Sequence, residues 1–346
     1  MASLKEHQQH KRLTAAEQGD LFANYLGDSM HCVVFEHFYE VVEDQEIKEY
    51  ISYVKSLAEQ HLIAIEQLYR KENIPIPVGF GEEDLHRNAP KLLSDVFMAI
   101  YITQMAKAGL AMYSEALSMA TRQDVIEYFK SNLHSCVETY ERGLQLLLNK
   151  GVSVEIPTIP YPKEVQFATK ESFVAMLTIN KRPLTALEVK YLLANINNNI
   201  LGKALMLAYS QVTTSQELEA YFRKGVEVAD EQIRKLGEYL MVENIPTPKL
   251  LDADITDSVS PPFSDKLLLF HTGFSNAYGI QNYGTALSKI LRHDLAATFA
   301  LLTAKISKYA NGGLELMIKN GWLEEPPTCP NRKGLSNSTA PKVETD

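Results

Sequence analysis

The chain has 346 residues, of which 45% are hydrophobic and 22% charged, and its formal net charge is −9 at pH 7. This composition predicts a globular protein of about two domains and excludes general disorder. The acidic balance argues against a nucleic-acid-binding surface, which needs clustered Lys and Arg, and no apolar run approaches the ~18–20 residues that span a bilayer.

The amino-terminal residues 1–12 are polar and lack the apolar core of a signal peptide. The three cysteines, Cys32, Cys136 and Cys329, form no even disulfide framework, which fits a reducing compartment. Both features predict that the protein resides in the cytoplasm.

The first half of the chain carries the pattern of four long helices. They are predicted at residues 14–43, 44–72, 91–119 and 122–150. Thr14, with Glu17 three residues later, is typical of a capping box at the first helix. Pro90 lies where the third helix is predicted to begin.

The connection between the second and third helices, residues 73–90, is long enough to run the length of a helix bundle. A helix of about 28 residues is ~42 Å long, whereas about 18 extended residues reach ~59 Å. One long crossover between two helical hairpins is the arrangement of a ferritin-like bundle. The sequence therefore predicts an all-α, ferritin-like fold.

The second half of the chain repeats the first. Residues 13–17 read LTAAE and residues 184–188 read LTALE, and register continues through loops to Gly151 and its counterpart Gly321. Such register indicates a tandem duplication, with a second crossover near residues 244–262. The predicted organisation is repeat 1 at 13–157, a connecting segment at 158–183, repeat 2 at 184–327, and a disordered tail at 328–346.

Neither repeat carries the ligand set of a ferritin-like di-iron protein. That set needs a Glu from each of two helices and a Glu-x-x-His from each of the other two. The sequence has Asp28-x-x-His31 alone on the first helix, and Glu83-x-x-His86 falls in the crossover. A standard di-iron site is therefore excluded, and no cofactor is predicted.

A non-standard metal site in repeat 1 is an alternative that the sequence leaves open. Its candidate ligands are mid-helix polar residues that repeat 2 replaces: Glu36, His61, Glu115, His134 and Glu138, which become Leu207, Gln232, Thr285, Ala304 and Lys308. The simpler interpretation is a hydrogen-bonded core histidine with solvated or ion-paired neighbours.

Two further groups have both a structural and a functional interpretation. Cys32 and Cys136 are either small apolar fillers or a soft-metal or redox pair. In repeat 2, Phe274, Tyr278 and Tyr283, with three nearby glycines, indicate either close helix packing or a small-ligand pocket.

Several strings resemble a two-repeat, ferritin-like family of unknown function from spore-forming Gram-positive bacteria, whose members are sometimes labelled spore-coat-like. The resemblance covers residues 13–327, and its most specific strings are Pro77-Val-Gly79-Phe80 with Asp84, Ala89-Pro90-Lys-Leu-Leu-Ser94-Asp95, Pro262-Phe263-Ser264-Asp265-Lys266-Leu267 and Met317-Ile318-Lys319-Asn320-Gly321-Trp322-Leu323-Glu324. It implies a ferritin-like fold and an association with spores, but it supplies no catalytic residues.

The leading hypothesis is a non-enzymatic, structural or stress- or spore-associated protein. The alternative is a metal- or small-ligand-binding protein, or an enzyme, with a non-standard site in repeat 1. A third interpretation is an interaction module. A homo-oligomer or a protein partner is compatible with each, whereas nucleic acid and membrane are not predicted as partners.

Overall fold

The structure of the protein is a computed structural model that describes residues 12–152, 156–174 and 182–332. Within these ranges it has eight α-helices and no β-strand, apart from the isolated bridges Leu85–Phe263 and Leu93–Ile255, which confirms the all-α prediction. Residues 175–181 of the predicted connecting segment and 333–346 of the predicted disordered tail lie outside the described residues.

The four helices of the first half begin close to where the sequence predicts them. They are α1, Ala15–Val41; α2, Gln45–Glu72; α3, Asp95–Met119; and α4, Gln123–Asn149. Thr14 and Glu17 form the expected capping box, in which Thr14 N donates to Glu17 Oε2 over 2.8 Å. The prediction that α3 begins near Pro90 is wrong, because Ser94 is extended and caps Phe97 N, so the helix starts at Asp95.

The second half repeats these local features at equivalent positions. Its helices are α5, Ala186–Val212; α6, Gln216–Val242; α7, Asp265–Leu287; and α8, His293–Lys319. Thr185 and Glu188 form the same capping box that begins α1. Asn73 and Asn244, which follow α2 and α6, both adopt a left-handed backbone, with φ of 55° and 57°.

The segment between α2 and α3 joins opposite ends of the first helix group. At one end, Arg122 Nη1 beside the start of α4 lies 2.6 Å from Glu72 Oε1 at the end of α2. At the other end, Asp44 N, just before α2, donates to Asp95 Oδ2 over 2.8 Å. Helices α2 and α3 therefore run in the same direction, and residues 73–94 travel from one end to the other.

The two halves share one hydrophobic cluster, built mainly from α1, α2, α3, α5 and α7, and α1 contacts α7 across the boundary between them. Their crossovers exchange equivalent hydrogen bonds: Ser94 N donates to Asp254 O over 2.8 Å, and Ser264 N donates to Asp84 O over 3.0 Å. The hydroxyls of Ser94 and Ser264 also donate hydrogen bonds to the side-chain carboxylates of Asp254 and Asp84, respectively. Because each of these contacts has an equivalent contact in the opposite direction, the two halves are related by an approximate two-fold axis.

A buried histidine lies between the halves near this axis. His271 Nε2 is 2.9 Å from the Tyr101 hydroxyl, and His271 Nδ1 is 2.6 Å from the Tyr209 hydroxyl. Burial, together with the nearby His31, lowers the pKa of His271 to about 3. The imidazole is therefore neutral at pH 7, with both nitrogens hydrogen-bonded.

Helix α3 is, among the described helices, the one that meets the length and composition of a membrane span. Half of its most apolar stretch is buried inside the protein, where α3 packs against α4, α2 and α1. A core helix of this length meets the same criteria.

Candidate functional site

A cavity of about 100 Å³ lies among the four helices of the first half. Its wall is mostly apolar, and Phe274 of α7 closes the side that faces the second half. The side chains with nitrogen, oxygen or sulfur that matter most to its chemistry are Asp28, His31, His61, Met105, Met112 and Cys136.

Three helices supply the titratable groups of this cavity. Asp28 and His31 are three residues apart and therefore share one face of α1. His61 comes from α2 and Cys136 from α4. Gly109 on α3 makes room for the thiol, because a Cβ at this position would collide with Cys136 Sγ.

Asp28 and His61 face each other without a good hydrogen bond. Asp28 Oδ1 lies 3.5 Å from His61 Nδ1, and Asp28 Oδ2 accepts only a long bond of 3.3 Å from Asn24 Nδ2. The edges of Tyr113 and Tyr128 pack around the imidazole, with ring centroids 6.1 and 6.4 Å away. Neither ring nitrogen of His61 has a hydrogen-bond partner among the described residues.

His31 brings a second imidazole with an unpaired nitrogen to the same cavity. Its Nε2 is buried and has no hydrogen-bond partner in the described part of the chain. Burial is the main cause that lowers the pKa of His31 to about 4; nearby Asp28 raises the pKa and His61 lowers it further. His31 is therefore neutral at pH 7, and one of its ring nitrogens carries a lone pair.

The two thiols of the first half are protonated at neutral pH. Burial, with a smaller effect of Asp28, raises the pKa of both Cys32 and Cys136 to about 12. Reactive cysteines need a lowered pKa, because the thiolate is the nucleophile. These values argue against the redox pair, whereas a soft metal would deprotonate a thiol by coordination.

The second half has an equivalent cavity of about 40 Å³ whose polar lining consists of neutral side chains, and two of their atoms, Gln232 Nε2 and Asn276 Nδ2, have no partner in the described part of the chain. Asn199, Gly202 and Gln232 stand where the first half has Asp28, His31 and His61. The Tyr283 hydroxyl accepts from Asn199 Nδ2 and donates to Gln232 Oε1, each over 2.8 Å. The large Tyr309 replaces the smaller Thr139 in the wall and helps to reduce the space.

Of the five candidate ligands from the sequence, the structure brings one, His61, into the cavity. Glu36 lies at the surface, with Oε2 2.6 Å from Lys55 Nζ. Hydrogen bonding to Lys55 is the main cause that lowers the pKa of Glu36, so the carboxylate is ionised and paired. Glu115 is exposed and accepts a 3.1 Å hydrogen bond from Gln281 of the second half.

The remaining two candidates lie together on the outside of α4. His134 Nε2 is 3.8 Å from Glu138 Oε1, and the His134 side chain is 77% exposed. Glu138 Oε2 accepts from the Tyr53 hydroxyl over 2.9 Å. The described residues contain no group of three or more His, Cys, Asp or Glu side chains positioned to hold a metal ion. A metal site made of all five residues stays a prediction without support from their positions.

Sequence reasoning missed Asp28 and His31 as members of the site. Their Asp-x-x-His spacing was visible but isolated on one helix. The available signal was the comparison between repeats, because Asp28 becomes Asn199 and His31 becomes Gly202.

A wider groove of about 490 Å³ runs between α2 and α4 on the outside of the first half. The groove and the cavity share Leu57, His61 and Ser135. These three side chains therefore form the partition between solvent and the cavity.

The sequence pattern of a family described as a protein of unknown function, DUF3231, matches residues 1–165 and again residues 172–335. The double match confirms the predicted repeat. No curated protein matches the chain. The solved structure of a putative spore coat protein from Bacillus halodurans C-125 is similar at 18% identity over 43% of this chain and 98% of that chain, with a TM-score of 0.39. This similarity is too weak to support a conclusion about fold or role.

Proposed function

We propose that this chain, which belongs to the DUF3231 family of proteins of unknown function, is a non-enzymatic, small-ligand-binding protein made of two ferritin-like four-helix bundles. The first bundle, residues 13–157, binds the ligand in its cavity. The second bundle, residues 184–327, is its structural partner.

The helix directions support the ferritin-like assignment. A ferritin-like bundle has one long crossover that joins two helical hairpins. Residues 73–94 link the end of α2 at Glu72 to the start of α3 at Asp95, and contacts to Arg122 and Asp44 place these points at opposite ends. A bundle with short connections throughout would bring those two points together.

The observation that supports a binding function is a difference between the two bundles in the side chains at one set of equivalent positions. An unpaired buried polar group costs about 1–3 kcal/mol, so a purely structural core tends to lose such groups. The second bundle carries amides at the equivalent positions, where Asn199 and Gln232 bond to the Tyr283 hydroxyl and Gln232 Nε2 is left without a partner among the described residues. The first bundle keeps three unpaired imidazole nitrogens at the cavity, Nε2 of His31 and both ring nitrogens of His61, and a bound ligand would pair them.

The chemistry of the cavity favours binding over catalysis. The Cys136 thiol, with a pKa of about 12, is a poor nucleophile at neutral pH. Location in the cytoplasm and association with spores belong to the same proposal, and they rest on the sequence features and the family resemblance.

The test compares the full chain with an Asp28→Asn/His61→Gln variant, which gives the first bundle the amides of the second. Tyr113 already stands where the second bundle has Tyr283, so this variant can close the same hydrogen bonds. Native mass spectrometry of protein purified without chelator should detect one small bound species on the wild type and none on the variant. The variant should also melt at a higher temperature. The same bound species on both proteins, or none on either, together with identical melting curves, would refute the proposal.

A further inference from the structure

The outer groove between α2 and α4 has the dimensions of a binding site of its own. Its volume of about 490 Å³ lies within the ~300–1,000 Å³ range of small-molecule sites. Two contacts between the helices mark its ends: Lys71 Nζ lies 2.8 Å from Asp124 Oδ2, and the Tyr53 hydroxyl donates to Glu138 Oε2 over 2.9 Å. Between these contacts, no hydrogen bond or ion pair within the described ranges joins α2 to α4.

A buried amide in the wall of this groove lacks a hydrogen-bond partner. Asn132 lines the groove and is 2% exposed, and its Nδ2 has no partner in the part of the chain that the structure describes. His61, whose two ring nitrogens are also unpaired, lines the groove beside it. Because buried polar groups are normally hydrogen-bonded, these unpaired atoms indicate a partner that comes from outside the chain.

The second bundle has different side chains at the equivalent positions. Glu231 and Lys305 stand where the first bundle has Gln60 and Ser135, and the Lys305 ammonium donates to the Glu231 carboxylate, which joins α6 to α8. Leu302, which is fully buried, replaces the unpaired asparagine. The second bundle therefore has an ion pair and an apolar side chain where the first has an open groove with an unpaired amide.

The polar part of the groove wall favours a neutral ligand. Its two charged members, Lys71 and Asp124, pair with each other. The remaining amide and hydroxyl side chains can both donate and accept hydrogen bonds, as the hydroxyls of a ligand can. A charged ligand would lie here without a counter-charge, which is costly away from water. The uncharged polar residues in question are Gln60, Gln67, Ser131, Asn132 and Ser135.

The rest of the groove wall is apolar. It is formed by Leu57, Ala64, Leu68 and the ring of Tyr128. A sugar ring has hydroxyls around its edge and C–H groups on its faces, so one molecule can contact both kinds of surface. A purely apolar ligand would leave the polar side chains of the wall unpaired.

We infer that this groove binds a neutral polyhydroxylated molecule about the size of a mono- or disaccharide, with Asn132 Nδ2 donating to one of its hydroxyls. The groove lies outside the cavity of the proposed function. Binding there requires neither Asp28 nor a ligand inside the cavity.

The experiment measures the affinity of the full chain for sugars by saturation-transfer NMR titration. The neutral probes are glucose and trehalose, and the charged probes are glucose 6-phosphate and glucosamine. One test variant, Asn132→Leu, introduces the side chain of the second bundle. The other, Gln60→Glu/Ser135→Lys, introduces its ion pair across the groove. The matched control is Glu231→Gln/Lys305→Ser, which removes that ion pair from the second bundle. Circular dichroism and melting curves establish that each protein is folded.

We expect the wild type and the control variant to bind at least one of the two neutral sugars with equal affinity. The same sugar should bind about tenfold more weakly to Asn132→Leu, because a hydrogen bond to a buried donor is lost. Gln60→Glu/Ser135→Lys should abolish the signal, because the paired side chains fill the groove. The charged probes should bind at least about tenfold more weakly than the neutral sugar.

Absence of saturation transfer to both neutral sugars would overturn the inference. Equal affinity in the wild type and the two test variants would also overturn it, as would charged probes that bind as tightly as neutral ones. Both test variants retain Asp28 and His61, so a failure at the groove leaves the proposed function of the cavity intact. That function is tested separately by Asp28→Asn/His61→Gln.

Discussion

Acidification from pH 7 to pH 5 should destabilise the protein through histidines that are buried in the neutral form. His37 and His271 are each 1% exposed. Burial lowers the pKa of His37 to about 4, and burial with a smaller effect of His31 lowers that of His271 to about 3, from an ordinary value of 6.5. His37 has no hydrogen-bond partner for either ring nitrogen in the described ranges.

The size of the effect follows from proton linkage. Below pH 6.5 the unfolded chain binds a proton at each histidine, whereas the folded protein does not until pH approaches 4 or 3. Stability is therefore complete above pH 6.5 and falls by about 1.4 kcal/mol per pH unit for each histidine below it. At pH 5 the loss is about 2 kcal/mol for each, or about 4 kcal/mol for the pair.

Urea denaturation at pH 7, 6 and 5 measures this loss. Between pH 7 and pH 5, the free energy of unfolding of His37→Leu should fall by about 2 kcal/mol less than that of the wild type, because the variant lacks the imidazole that titrates. His134→Ala is the matched control, since that side chain is 77% exposed, and it should leave the slope unchanged. Carboxylates with a lowered pKa, such as Glu188 at about 2, lose their contribution only below their ordinary pKa of 4.5, outside this range.

The reasoning would be refuted if His37→Leu and wild-type stability fell in parallel from pH 7 to pH 5. Such a result would mean that His37 is already protonated in the folded protein, or reaches solvent before the chain unfolds.

Three further predictions concern packing and polar networks, and urea denaturation at pH 7 checks each. Tyr283→Phe should cost about 1–3 kcal/mol, because it leaves Asn199 Nδ2 and Gln232 Oε1 without their hydrogen-bond partner; a neutral effect would contradict these two hydrogen bonds. Gly143→Ala should cost about 1–3 kcal/mol, since its Cβ would collide with tyrosine and threonine side chains, whereas Gly273→Ala meets open space and should stabilise by roughly 0.5–1 kcal/mol. Asp84→Ala should destabilise the protein by about 1–3 kcal/mol, and more than Asp254→Ala, because Asp84 is 2% exposed and accepts an additional backbone hydrogen bond. A larger effect of Asp254→Ala would argue against the hydrogen bonds exchanged between the two crossovers.

The helices and the duplication could be predicted because their signals are local. Thr14 with Glu17, and Thr185 with Glu188, are short patterns that act on the residues beside them. The predicted start of α3 was wrong because that prediction, too, used only a local signal. Pro90 is a sound local signal for a helix start, but the cap is made by Ser94, whose hydroxyl also donates to the second half.

The site was harder to predict because inward and outward positions on a helix differ by small rotations. Glu36 follows Asp28 by eight residues, which turns it about 80° around α1 at 100° per residue. That rotation, with a longer side chain, carries its carboxylate to Lys55 at the surface, while Asp28 stays inside. Phe274 also closes the cavity from the second half, which no pattern within the first half can reveal.

The reciprocal contacts between the crossovers bear on how many ligands one molecule holds. In a homodimer of single bundles, every substitution appears on both sides of the axis, so a costly site is kept twice or lost twice. Joining the two bundles in one polypeptide removes that constraint. One cavity can then carry neutral amides while the other keeps ionisable side chains, and the proposed function predicts one ligand for each pair of bundles. Expressing either half alone would expose the hydrophobic cluster that the two halves share, so each half depends on the other for stability.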